Sequence, residues 1–364
     1  MGFRKQSDKI DQALSSWITR AWTFQEYELS TRVLYFGKSR IHFACPKRTW
    51  IEGGHCRENL KFEQAFIHHI LDFEAGAIDK EELYSYWRAL LERYGDRKCT
   101  YASDRLPALS GIAKLMADAI DDTYIAGMWN GALAAGLLWS YAESPEHNGL
   151  EQHLQACSAS VLPSWTWVAQ SKHFTHGHSL FWIADDEDMK TECKRLYTSR
   201  AVSERTLNAF GGAKNALLSV KGGQTRQLTT ALERVDVSQP RQAWKAALNT
   251  TTTVWIELDY TVHHTLKSLQ VDFKMVMIAS VTGLASPNQE SIQDGDSSSE
   301  ISSTDSGESN LRSEDDCRHA WGLLLHPAQT SGRFHRVGLF TVRAERVGGL
   351  ILFDGCDLED LEIV

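Results

Sequence analysis

The chain has 364 residues, 42% of them hydrophobic and 23% charged, which excludes global disorder, collagen-like repeats and a fibrous rod. Net charge is −9, so no basic face marks a nucleic-acid binder. Residues 286–316 hold nine acidic side chains and one Arg, a net of −8, which leaves the rest close to neutral at −1 and without a steering field.

Taken in chain order, residues 1–16 are polar and carry no apolar core of a secretory signal. Residues 20–30 read RAWTFQEYELS, with Trp22, Gln25 and Glu26 at i, i+3 and i+4, one face of a helix. Glu26 beside Gln25 is a candidate acid, base or hydrogen-bonding clamp; a buried polar pair holding a loop is the plainer account. Residues 32–36 (RVLYF) and 40–44 (RIHFA) flank Gly37-Lys38-Ser39 and predict a hairpin. Helical spacing follows over 58–73, with Phe62, Phe66, Ile67 and Ile70 on one face, and over 80–94. Ser103-Asp104 is an N-cap candidate before Pro107, and Leu106, Leu109, Ile112, Ala113, Met116 and Ile120 make an amphipathic helix. Residues 131–139 are apolar almost all round and predict a buried helix, too short to span a bilayer.

After Pro163 the texture changes to short apolar or β-branched runs: 164–168, 180–183, 216–220, 250–260, 271–281, 321–325, 337–342 and 350–353. With turn residues between most of them, the pattern predicts an antiparallel β-rich region. Residues 241–248 read as one or two helical turns, and Gly211-Gly212 and Gly222-Gly223 as turns. The serine-rich acidic stretch 286–316 cannot bury enough apolar surface to offset its ordering entropy and is expected to be a disordered loop. Within it Ser297, Ser302 and Ser313 each precede an acidic residue by three positions, which an acid-directed kinase could use; a solvated loop is the bland alternative.

Chemistry-bearing clusters are few. His173, His176 and His178 are candidate metal ligands, since two of them share a face if the segment is extended; a solvent-facing hairpin is the alternative. His42, Cys45, His55 and Cys56 form a second candidate whose spacing matches no zinc pattern. Seven widely spaced cysteines without CxxC suit a reduced, cytoplasmic setting. No nucleophile elbow, Cys/His signature or phosphate-cradling glycine loop is visible, no cofactor is implied, and the Trp residues read mainly as core.

The run RAWTFQEYELSTRVLYFG followed by IHFAC resembles the closing motif of the HET (heterokaryon incompatibility) domain of filamentous fungi. Arg20, Trp22, Gln25, Glu26, Leu29, Ser30, Arg32, Phe36, Gly37 and Cys45 match its pattern. SDRLPALSGIA (103–113), YIAGMW (124–129), LPSWTWVA (162–169) and the WGLLL and RVGLF runs recur in that order in long proteins of this family. The resemblance implies an α+β chain in three parts. Residues 1–45 would be the C-terminal part of a Toll-like α/β HET domain, residues 46–160 a helical region, and residues 161–364 a β-rich domain carrying the acidic loop. The motifs that precede RAWTFQE in a complete HET domain are not in this chain, so a truncated domain is expected. The implied function is fungal nonself recognition and the associated programmed cell death, acting through protein partners or self-association without a membrane span. The alternatives are a NAD-type nucleotide hydrolase in which Glu26 contributes, and an inactive HET-derived binding scaffold.

Overall fold

The computed structural model describes residues 17, 19–37, 39–58, 65–141, 147–169, 174–176, 189–200, 210–213, 216–235, 242–248, 252–282, 318–342 and 349–364. The acidic stretch with Ser297, Ser302 and Ser313, together with His173 and His178, lies outside them, as does the run 180–183. The chain is an α+β protein.

Helix α1 (Ala21–Glu28) opens the described chain. It is followed by β1 (Val33–Phe36), β2 (Ile41–Ala44), β3 (Arg48–Ile51) and β4 (His55–Glu58), an antiparallel sheet in sequence order. The 32–44 hairpin thus forms, closing with Phe36 opposite Ile41. The predicted helix over 58–73 begins later: Glu58 ends β4, and α2 spans Phe66–Glu74, burying Phe66 and Ile70. Helix α3 (Lys80–Gly95) matches its prediction; Asp79 and Glu82 form a capping box at its start. Residues 102–104 and 107–109 are short 3-10 turns before α4 (Ser110–Ile120). Ser103-Asp104 is therefore no N-cap, and α4 has no capping side chain on its own N-cap residue.

The ribbon β5 (Tyr124–Ile125) and β6 (Met128–Trp129) comes next. The expected helix over 131–139 is only α5 (Leu133–Leu137); Trp139 already starts β7 (Trp139–Tyr141), which pairs with β8 (Phe174–His176). Between them lies α6 (Leu150–Ala159). Residues 164–168 are not a strand. The alternation of SWTWV suggested one, but Trp165 and Trp167 are both fully buried, and the Thr166 hydroxyl donates to the Ala126 carbonyl, folding the segment into a turn.

The β-rich half is built from β9 (Lys190–Thr191), β10 (Arg195–Arg200), β11 (Ala216–Val235), β12 (Ala243–Ala247), β13 (Thr253–Leu258), β14 (Ser268–Thr282), β15 (Arg318–Pro327), β16 (Arg333–Val342) and β17 (Leu358–Ile363). Pairings run β11-β12-β13-β16-β15-β14 and return to β11, so six strands close into a barrel. Closure removes the edges that an open sheet of these apolar strands would expose. Alternate residues fill the interior: Leu228 and Leu232 of β11, Trp244 of β12, Ile256 of β13, Phe273 and Met275 of β14, Leu324 of β15 and Phe340 of β16. The expected helical turns at 241–248 are β12, because Trp244 and Ala246 point into the barrel. The expected strand at 350–353 is a 3-10 turn (Gly349–Phe353) that stacks Phe353 on Phe340, 5.7 Å between ring centroids.

Gly222-Gly223 is not a turn between strands. It is a bulge inside β11, with Gly222 at φ +58° and the register shifting between Val220 and Gly223. Before the bulge β11 pairs with β10 and β17; beyond it the β17 pairing ends at Gln224, and β14 and then β12 take over. The outward residues of this half, among them Leu218, Val220, Ile278, Leu323 and Ile363, join one core with Phe24, Trp87, Ile112 and Trp139 of the helical part.

Arg336 of β16 is fully buried at that junction. Its Nε bonds Asp259 at 2.9 Å, its Nη1 and Nη2 donate to the Leu137 and Trp139 carbonyls at 2.7 and 2.6 Å, and its guanidinium lies 3.6 Å from the Trp139 ring centroid. Arg336→Met is expected to cost about 3–5 kcal/mol in urea unfolding, because it strands the Asp259 carboxylate. The double variant Arg336→Met/Asp259→Leu is expected to recover a large part of that loss; if it does not, the packing around the pair and not the stranded charge sets the cost.

Candidate functional site

The RAWTFQEYELS segment is the most distinctive part of the sequence, and it forms α1 and the turn after it. Its entry is stitched to the chain beyond α3: the Ala21 amide donates to the Lys98 carbonyl at 3.1 Å and the Lys98 amide to Thr19 at 2.7 Å. Ala21, Phe24 and Glu28 form the buried stripe. Phe24 packs on Tyr94, 5.3 Å between centroids, with the Arg97 guanidinium 4.8 Å from its ring.

Two polar side chains of α1 cap other helices. Gln25 Oε1 accepts the Gly111 amide of α4 at 2.8 Å. Glu28 Oε2 accepts the Phe66 amide of α2 at 2.8 Å. Both amides belong to the first turn of a helix whose own N-cap residue supplies no side chain, so each is a donor that would otherwise lack a partner. Gly111 is required for the first contact, since a Cβ there would sit 2.8 Å from Gln25 Oε1.

Glu28 is fully buried, and its Oε1 lies 3.0 Å from Arg93 Nη1. Burial raises its carboxyl above the usual range against the opposing pull of Arg93. Burial also lowers the neighbouring Arg97, to about 10.

The other motif residues lie as follows. Trp22 is 44% exposed, its indole N–H 3.4 Å from Asp104. Glu26 is exposed, and its backbone carbonyl accepts the Ser30 hydroxyl at 2.6 Å. Arg20 and Arg32 are exposed; the Gly37 amide closes the hairpin on the Arg40 carbonyl, and the Cys45 amide bonds the Arg48 carbonyl. The catalytic candidate Glu26 thus lies on the solvent side, and sequence reasoning passed over Glu28. The signal for Glu28 was its phase: it follows Ala21 and Phe24 at i+7 and i+4, on the apolar stripe.

No group of three or more His, Cys, Asp or Glu among the described residues could hold a metal ion. In the small sheet, register places His42 on the buried face and Cys56 on the outer face, so that candidate set is divided. His176 falls in β8, away from these strands.

A cleft of about 610 Å³ opens between the end of α6, the β15–β16 turn and Val364. Cys157 lines it, its Sγ 3.5 Å from His153 Nε2 one turn earlier on α6. That is the geometry of a thiol–imidazole pair, yet burial pushes the thiol up to about 12 and lowers His153. Both groups are held neutral, which opposes nucleophile formation. Compared with protein-family models, curated proteins and solved structures, the chain matches none.

Two outcomes are expected. A carboxyl raised in the fold favours the folded state when protonated, so Glu28 withdraws stability as pH rises from about 4.5 through its folded value. Thermal melts of wild type should therefore lose stability relative to Glu28→Gln over that rise, while Glu28→Ala, which also drops the α2 cap, should cost about 1–3 kcal/mol. In iodoacetamide labelling at pH 7.5, Cys157 should react well after exposed Cys56, read by peptide mass.

Proposed function

We propose that this chain is a HET-family protein of fungal nonself recognition that contributes to programmed cell death through contacts and not through bond chemistry. The observation that carries this reading is the use of the motif's polar atoms. Gln25 and Glu28 are committed to capping α4 and α2, while Glu26 faces solvent. The segment that carries the resemblance to the HET family therefore acts as a clamp between helices. It leads directly into a small sheet whose outer face shows Leu34, Phe36 and Trp50 to solvent, a surface suited to contact. The neutral Cys157–His153 pair adds no competing catalytic centre. No helix among the described residues is long and apolar enough to cross a membrane.

Overexpression of the full chain in a filamentous fungal host is expected to arrest growth, with cellular NAD steady until death. Glu26→Ala should arrest growth as wild type does. Loss of arrest in that variant, with NAD falling early in wild type, would favour the nucleotide-hydrolase alternative. No arrest at all would favour an inactive scaffold.

A further inference from the structure

The small sheet has one buried face and one open face. His42, Ala44, Thr49 and Ile51 are buried on the inner face. Register aligns Leu34, Phe43 and Trp50 across β1, β2 and β3 on the other, with Phe36 opposite Ile41 beside them. Leu34 is 60% exposed, Phe36 69% and Trp50 43%, while Ile41 and Phe43 are half-buried. These five side chains form one apolar patch on strands of four residues, about 14 Å long. A contiguous patch of this kind marks an interaction surface, not a random exposed residue.

The charge around the patch says what covers it. Residues 32–58 contain six Lys or Arg and two Glu, a net of +4 within a chain whose net charge is −9. The cations flank the apolar row at both ends. Arg32, Lys47 and Arg48 lie where β1 begins and β2 turns into β3; Arg40 lies just before β2 at the other end. A second copy laid face to face would bring these like charges within about 10 Å, the screening length at 0.1 M salt, and meet repulsion. An anionic surface meets both features at once.

We propose that the outer face of the β1–β4 sheet docks on an anionic lipid surface. Leu34, Phe36 and Trp50 enter the headgroup–acyl boundary, where Trp is favoured because it is apolar in body and polar at one edge. The exposed Arg32 and Lys47 rest on lipid phosphates, an attraction that weakens with salt. Strands of four residues are too short to span, so the protein lies on the bilayer. The proposal stands apart from the incompatibility reading, because purified protein and vesicles contain nothing a fungal cell would supply.

The test is co-sedimentation of the full chain with phosphatidylcholine vesicles, with and without phosphatidylserine at about a third of the lipid, at 0.1 M salt. Binding is expected only with phosphatidylserine, and it should fall several-fold at 0.5 M salt. Leu34→Ser/Phe36→Ser is expected to weaken partitioning by about tenfold or more while leaving the thermal melt in place, since both side chains are exposed. Arg32→Glu/Lys47→Glu should weaken it as well. Equal binding to neutral vesicles, no binding to either kind, or unchanged partitioning of the Leu34/Phe36 variant would overturn the proposal. So would equilibrium ultracentrifugation showing a wild-type dimer that this variant converts to monomer, because a second copy would then cover the face.

Discussion

The fold depends on a single buried cation. Arg336 spends its guanidinium on Asp259, on the Leu137 and Trp139 carbonyls and on the Trp139 ring, and so links a barrel strand to the end of α5 and the start of β7. Its backbone is held as firmly. The amide donates to the Ser164 hydroxyl, which in turn donates to the Val364 carbonyl, and the Arg336 carbonyl lies 3.1 Å from His153 Nε2. Desolvating a guanidinium is costly enough that it is tolerated only when nearly every N–H is used. That demand draws Asp259, just after β13, and the carbonyls at the end of α5 and the start of β7 to the guanidinium, while α6, the SWTW turn and the end of β17 meet at the Arg336 backbone. Moving Asp259 or either carbonyl would leave the charge less compensated, which ties the helical part to the barrel.

The two sheets handle exposed edges in opposite ways. The large one closes on itself, and small residues make closure possible. A Cβ at Gly322 would collide with the Val276 carbonyl and the Phe340 ring, and one at Gly338 would sit 2.5 Å from the Glu257 carbonyl. The bulge at Gly222 lets one strand, β11, serve both the barrel and the flanking β10–β17 layer. The small sheet has neither closure nor a covered outer face. Among the described strands, exposed large apolar side chains cluster here as Leu34, Phe36 and Trp50, while β17 shows Leu358 alone, and that contrast is what the docking proposal rests on.

What could be read from sequence follows the range of the interaction that decides each element. Helices α3 and α4 and the first hairpin were legible because their signals are local: a 3.6-residue stripe in each helix, and a glycine turn between alternating runs. Residues 241–248 misled because alanine favours helix, while the fact that decides the matter, Trp244 and Ala246 facing a barrel interior, is nonlocal. Residues 350–353 misled for the mirror reason: an apolar run suited to a strand is instead the plug that stacks Phe353 on Phe340. Barrel closure itself has no local signature, since β11 meets β14 across some 45 residues of separation. In the motif, sequence found the correct helix but favoured Glu26. Phase distinguishes it from Glu28, two positions on, which continues the Ala21–Phe24 stripe and is turned inward.

That inward turn also explains how a sheet with an open face is held in place. A short helix with no capping side chain on its own N-cap residue would gain little from local interactions. Helix α1 is fixed instead by what it gives away, a cap to α4 through Gln25 and a cap to α2 through Glu28. Both recipients are packed into the shared core, so the register and tilt of α1 are set at two points along its length. Five residues later β1 begins, and the small sheet inherits that placement. Gln25 and Glu28, on either side of the exposed Glu26, are thus the mounting of the neighbouring surface. Their side chains satisfy two amides, and the sheet that follows turns Leu34, Phe36 and Trp50 outward.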